Sequence, residues 1–554
     1  MTKHSSNHHD IDYGMTRRKF IGAAAGGSAA LLTGGFASLL KPTASAAGFQ
    51  FVEATIPQLQ AAMASGQLTS AGLTMGYINR IQSLNPTLHA VIELNSNAAA
   101  IAASLDNERR AGHVRGPLHG IPILVKDNIA TNDNMQTIAG SLAIYGNKVP
   151  GDSVVIQQLR AAGAVILGKS NLGEWANFRS FIPIFPLAVG WSARGGNTIN
   201  AYDLSYTSWG SSSGSGAGAA ANLCSVAVGT ETDGSITGPS AVENIVGLKP
   251  TLGLVSQDGI IPISHQQDTA GPMARSVTDL AILLGVLQSP VGDYTQFLKR
   301  GALDGAVIGR DTRYFNYSYF GSGIPGDEQT VAFAQNALNV MESLGATVVD
   351  VDTGDVFDYT DDEFTALLFE FKVQIADYLA TLTHTNMRTL ADLIAFDIAH
   401  CPAEMPYYGQ EVFELSESTS GDLTDPTYVA ARTHATSTAQ AGIDAVIASG
   451  VDAIVAPHLT NSTGPAVAGY PNLSLPVGIR SSGRPAGMLM YSTGLREAKL
   501  IGFGYDLEQE LNARAQPQFL GSIIPLPDAG ICQALPKKPH VFKGKAHLPH
   551  GKIF

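Results

Sequence analysis

The chain has 554 residues, of which 45% are apolar and only 15% charged, with a formal net charge of −13 at pH 7. Ample hydrophobicity with so few charges excludes an intrinsically disordered chain, and at this length a large core can be buried without disulfide staples. The acidic balance, with no internal run of Lys or Arg, excludes a nucleic-acid groove, so nucleic acid is not an expected partner.

Residues 1–46 read as a processing segment. A polar stretch ends in Thr16-Arg17-Arg18-Lys19-Phe20, a charge-free run rich in Gly and Ala covers residues 20–40, and Lys41 and Ala44-Ser45-Ala46 follow. Paired arginines before a weakly hydrophobic run resemble a twin-arginine export signal, and the small-x-small triplet suits a signal peptidase. The expectation is export by the twin-arginine route to the periplasm or the extracellular space, with cleavage near Ala46. An uncleaved anchor is the competing reading, although the glycines make the run a poor partner for lipid. Beyond residue 46 no charge-free apolar run of 18 or more residues occurs, so no membrane association is expected of the mature chain.

Residues 54–110 read as helical: Leu59, Ala62 and Met63, then Leu73, Gly76 and Tyr77, recur at helical spacing, with Thr55 and Thr69 as N-caps. From about residue 118 strands and helices alternate. Residues 121–125 form a short apolar strand, 154–162 an amphipathic helix, and 164–167 a second strand leading into Lys169-Ser170-Asn171. Gly, Ser and Ala dominate residues 205–254. The helix 327–344, with Val331, Ala334, Leu338, Met341 and Leu344 on one face, feeds a strand at 346–351. Residues 355–440 are mostly helical and more acidic, the texture of an inserted layer, and 452–457, 473–477 and 488–491 are buried strands. Such alternation without a Pro-rich linker predicts one large α/β/α layered domain over residues 47–528, built on a central mixed twisted sheet. Residues 529–554, with five Lys, three His and little periodicity, read as a basic solvated tail.

Cys224, Cys401 and Cys532 are too few for a disulfide framework; at most one bridge can form. No HExxH, CxxC or EF-hand pattern occurs, and the 14 His are dispersed or lie in the tails, so neither a metal nor a cofactor is expected.

The most unusual stretch runs Trp209-Gly-Ser-Ser-Ser-Gly-Ser-Gly-Ala-Gly218 and then Gly229-Thr-Glu-Thr-Asp-Gly-Ser-Ile236. A flexible linker would not run straight into the apolar residues 219–228. Small residues in a buried setting instead allow close backbone approach, which sites for acyl or phosphate groups require. Gly210-Ser-Ser212-Ser-Gly214 also fits the GxSxG elbow, which would make Ser212 a nucleophile with His265 or His458 as its base. Gly214-Ser-Gly216-Ala-Gly218 lacks the spacing of a dinucleotide loop.

Six blocks in order resemble the amidase signature hydrolases: Gly116-Pro-Leu-His-Gly-Ile-Pro-Ile-Leu-Val-Lys126-Asp-Asn-Ile, Gly168-Lys-Ser-Asn, Gly210-Ser-Ser-Ser-Gly-Ser215, Gly229-Thr-Glu-Thr-Asp-Gly-Ser235-Ile, Gly247-Leu-Lys-Pro-Thr and Gly469-Tyr-Pro-Asn-Leu-Ser-Leu-Pro-Val-Gly478. The blocks run from Gly116 to Gly478, and the resemblance as a whole covers about residues 54–520. Within the family, Trp191-Ser-Ala-Arg-Gly-Gly196 and Gln267-Asp-Thr-Ala-Gly-Pro-Met273 look most like the bacterial peptide amidases, which remove the C-terminal amide of peptides.

The resemblance implies the amidase signature fold and a catalytic triad, with Ser235 as nucleophile, Ser211 as bridging cis-serine and Lys126 as base. It also implies a cis bond at Gly210–Ser211 and an oxyanion hole from the backbone N–H groups of Thr232, Asp233, Gly234 and Ser235. The chemistry is coherent, because a serine hydroxyl attacks an amide only after losing its proton, and a lysine can take that proton only when neutral. Lys126 closes an apolar strand, where desolvation favours the neutral form, provided Asp127 faces elsewhere. Two departures from the commonest family pattern stand out: Asp233 replaces a glycine, a change that the peptide-amidase-like branch also tolerates, and Thr237 replaces the arginine that ordinarily fixes the loop, so loop support must come from elsewhere. A third is the apolar stretch 181–189, read either as ordinary core or as a lip over the acyl side of the substrate.

The expected activity is hydrolysis of a peptide C-terminal amide or another small amide through an acyl-enzyme, by a monomer or homodimer. Three alternatives stand beside it: an esterase using Ser212, a family member acting mainly on esters or carbamates, and a partner-dependent amidotransferase subunit.

Overall fold

The computed structural model describes residues 49–180, 188–315 and 327–534. The segment expected to be an export signal, residues 1–46, and the last 20 residues lie outside them. Thirteen strands occur among the described residues. The first five are β1 (Val91–Leu94), β2 (Pro122–Lys126), β3 (Val165–Ser170), β4 (Trp191–Ser192) and β5 (Gly196–Asn197). Next come β6 (Val226–Glu231), β7 (Val246–Lys249), β8 (Thr269–Ala274) and β9 (Val307–Asp311). The last four are β10 (Thr347–Val351), β11 (Ala453–Pro457), β12 (Asn472–Ile479) and β13 (Pro485–Tyr491).

Eleven of these make one sheet in the order β1-β3-β2-β6-β8-β7-β12-β13-β11-β9-β10, while β4 and β5 pair as a separate ribbon. The sheet is mixed: β2 lies parallel to both β3 and β6, whereas β6 pairs antiparallel with β8 and β12 antiparallel with β13. Its central strands are buried on both faces, which is why they read as continuous apolar runs instead of alternating ones. Helices cover both faces, as the layered reading requires.

Several local expectations hold. The helix Ile56–Ala64 starts in a capping box in which the Thr55 hydroxyl accepts from the Gln58 N–H and the Gln58 side chain returns the bond. Thr69 caps the helix Ser70–Leu88. The helical reading of residues 54–110 needs one correction: β1 lies inside it and pairs antiparallel with β3. Four residues at a sheet edge are too short for period-2 alternation to stand out from the helices on either side.

A disulfide joins Cys401 to Cys532, 131 positions apart, and Cys224 stays free and buried. The tail reading is therefore corrected at its start, since Ile531–Ala534 forms a helical turn tied by this bond to the helical layer. Pairing across 131 positions leaves no trace in local sequence. Among the described residues no helix is long and apolar enough to cross a membrane.

Candidate active site

Lys126 ends β2, a strand buried along its whole length, and its side chain reaches the loop that starts the helix Ser213–Ala220. Nζ lies 2.7 Å from Ser211 Oγ, 2.8 Å from Thr230 Oγ1 and 3.1 Å from the Thr230 carbonyl oxygen on β6. Burial pushes this lysine down to about 7, against the opposing charges of Asp268 and Glu231. Ser211 touches both other members of the group: its hydroxyl meets Lys126, and its backbone N–H donates to Ser235 Oγ at 3.1 Å. A further bond from the Ser212 N–H to the Ser235 carbonyl, 3.2 Å, clamps the two loops together.

The expected cis bond is not found. Gly210–Ser211 is trans, and the one cis bond among the described residues is Ser289–Pro290. Trp209 and Gly210, with φ of 54° and 53°, make the turn instead. Glycine is required at 210, because a Cβ there would meet Pro239 Cδ at 2.6 Å.

Past the end of β6, the backbone N–H groups of Thr232, Asp233, Gly234 and Ser235 donate to no acceptor among the described residues. The loop is held at both ends. Glu231 accepts from the N–H groups of Ile236 and Thr237, at 2.6 Å and 2.8 Å, and from the Thr237 hydroxyl at 3.1 Å. Thr237 thereby anchors the loop in place of the usual arginine. At the other end the Thr232 hydroxyl donates to Asp268 Oδ1 at 2.5 Å, and Gln267 Nε2 donates to the Thr232 carbonyl at 3.0 Å. Asp268 Oδ2 accepts from the N–H groups of Ile263 and Ser264, and burial pushes the carboxyl up to about 6. Sequence reasoning assigned no role to Gln267 or Asp268, and their place in a family block was the only signal available.

Asp127 turns away from the serines. Its Oδ2 accepts from the Gly140 N–H at 3.0 Å, and burial pushes it up to about 6 against the charge of Lys169. Ser212 is fully buried, and its Oγ both donates to the Thr230 carbonyl, 2.9 Å, and accepts from the Thr230 N–H, 3.1 Å. Neither proposed histidine reaches it: His265 pairs with Gln257 Oε1 at 2.8 Å, and burial drives His458 down to about 3. Of the stretch 181–189, residues 181–187 lie outside the described residues; Ala188 packs with Trp191 and Tyr408, with Arg179 over both rings.

Residues 72–501 match the amidase family model. The chain belongs to the amidase family. It is an amidohydrolase of the amidase signature type, with that family's α/β fold. The crystal structure of native peptide amidase from Stenotrophomonas maltophilia is 44% identical, with a TM-score of 0.78 over 85% of this chain and 99% of that one. An amidase family protein from Bacillus anthracis is 32% identical, with a TM-score of 0.75 over 84% of this chain and 92% of that one. A glutamyl-tRNA(Gln) amidotransferase component from Chloroflexus aurantiacus is 39% identical, but over 54% of this chain and 60% of its own length. Among the described residues no cluster of His, Cys, Asp and Glu is arranged to hold a metal ion.

Proposed function

We propose that this amidase cleaves the C–N bond of peptide C-terminal amides or other small amides with Ser235 as nucleophile, Ser211 as proton relay and Lys126 as base. The observation that carries the reading is the hydrogen-bonded chain from Lys126 Nζ through Ser211 to Ser235 Oγ beside four unengaged N–H groups. Neutral Lys126 withdraws a proton from the Ser211 hydroxyl, which takes one in turn from Ser235. That transfer needs Ser235 Oγ, which rests on the Ser211 N–H, to swing toward the Ser211 hydroxyl. The freed oxygen attacks the carbonyl carbon, and the N–H groups of Thr232–Ser235 hold the resulting oxyanion. The C–N bond breaks as the proton returns from Lys126 through Ser211 to the departing nitrogen. Water then cleaves the acyl-enzyme by the same relay.

Likeness to the peptide amidase over 85% of the chain favours a peptide or peptide-like acyl group and activity without a partner chain. Both bonds of Ser212 to Thr230 argue against the elbow esterase, because a nucleophile cannot have its donor and acceptor committed to the backbone. Export is part of the same proposal. The twin-arginine pattern before residue 20 and the Cys401–Cys532 disulfide, a bond that persists in oxidising compartments, both support it. Hydrolysis of a panel of peptide amides, aryl amides, esters and carbamates by the purified single chain, read as ammonia or amine release from the amides and carbamates and as acid formation from the esters, tests the reading. Peptide amides are expected to lead, and a preference for esters or a need for a second protein would overturn it.

A further inference from the structure

One carboxylate oxygen in the site has no partner. Asp233 stands two positions before Ser235, where the commonest family pattern has glycine, within the loop whose N–H groups are unengaged. Its Oδ2 accepts from Thr463 Oγ1 at 2.7 Å, whereas Oδ1 is out of solvent contact and accepts no hydrogen bond. An orphaned buried acceptor costs free energy in the empty site, and that cost is recovered when a ligand brings a donor. The scissile group of a primary amide has one acceptor, its carbonyl oxygen, and donors on nitrogen. The loop N–H groups match the first, and the second calls for a free acceptor.

We propose that Asp233 Oδ1 receives an N–H of the scissile carboxamide, making this residue the determinant that selects amides over esters. The inference rests on the Ser235 reading above. An ester places an alkoxy oxygen at the same point, where it offers no donor and faces the carboxylate lone pairs. Sites built to bond a substrate N–H reject analogues that lack it far more strongly than apolar pockets reject a missing methylene. The surroundings keep Asp233 an acceptor. Burial raises it to about 6; the Thr463 bond, the nearby Ser462 hydroxyl and the charge of Lys249 oppose that rise, and the charge of Glu231 adds to it. Burial, with the charge of Asp233 added, also raises the neighbouring Glu363. Thr463 fixes one oxygen and so aims the other.

The test compares a blocked dipeptide primary amide with its methyl ester, so that both substrates give the same acyl-enzyme and kcat/KM isolates acylation. Asp233→Gly, which installs the common family residue, is expected to lower kcat/KM for the amide by about 10- to 100-fold. The ester value is expected to stay level or rise. Asp233→Asn, which keeps one carbonyl oxygen, should fall between wild type and Asp233→Gly on the amide and serves if the glycine variant is unstable. Equal losses on both substrates would overturn the inference, leaving Asp233 a loop support, and so would no loss on either. Ser235→Ala run alongside keeps the two ideas apart: amide turnover by that variant would remove the nucleophile itself, whereas the outcomes for Asp233 alone leave it in place.

Discussion

Lys126 and Lys169 sit on neighbouring parallel strands, in registers one step apart, and both side chains are fully buried. Burial lowers both, to about 7 and about 8. Their neighbours differ. Lys126 faces the hydroxyls of Ser211 and Thr230, and Ser211 leads on to Ser235. Lys169 donates to the Ile129 carbonyl and the Thr137 hydroxyl and has the carboxylate of Asp127 as its counter-charge. Desolvation prepares a lysine to lose its proton, but only an adjoining hydroxyl relay gives the neutral amine something to deprotonate. The Lys126 region can do chemistry, and the Lys169 region holds β2, β3 and the residue 129–140 loop together.

The largest effect expected from this contrast is at the end of the relay. Ser235→Ala should lower amide turnover by about 10⁴-fold or more and abolish labelling by a fluorophosphonate, while Ser212→Ala keeps most activity. Next come the two lysines. Lys126→Ala should cost about 10³-fold or more in kcat with little change in thermal stability, and Lys126→Arg should fail as well, since a guanidinium keeps its proton. Lys169→Met should do the reverse. It strands Asp127 in the interior and is expected to destabilise the fold by about 3 kcal/mol, while the folded fraction turns over at close to the wild-type rate. Equal kinetic losses at the two positions would erase the distinction.

A smaller effect concerns pH. Below its pKa Lys126 is protonated and cannot accept, so the rate should rise with pH through about 7 and then level off. Asp268 is the leading charge that raises this lysine, so Asp268→Asn should move the rising limb to lower pH. An unmoved limb would mean that another group controls it. Smallest of all, EDTA should leave turnover unchanged, and a loss restored by zinc would contradict a relay made only of side chains.

Much of this arrangement was legible in the sequence. The strands at 122–126, 165–170 and 453–457 announce themselves as short apolar runs because the sheet buries both of their faces. Lys126, Ser211 and Ser235 were marked by family blocks, and the structure brings them together. What could not be read depends on long-range pairing. Nothing local in Lys169 distinguishes it from Lys126, since the difference lies in Thr137 and Ser211, reached across other loops. Thr237 looked like a lost anchor, and only its bond to Glu231 shows how the loop is held. The bond from Thr232 to Asp268 and the pairing of Cys401 with Cys532 could not be read for the same reason.

The most direct test of the relay is to react the wild-type enzyme with a fluorophosphonate at pH 8 and map the modified residue by peptide mass spectrometry. The account predicts a single adduct on Ser235. An adduct on Ser212, or on any residue other than Ser235, would contradict it.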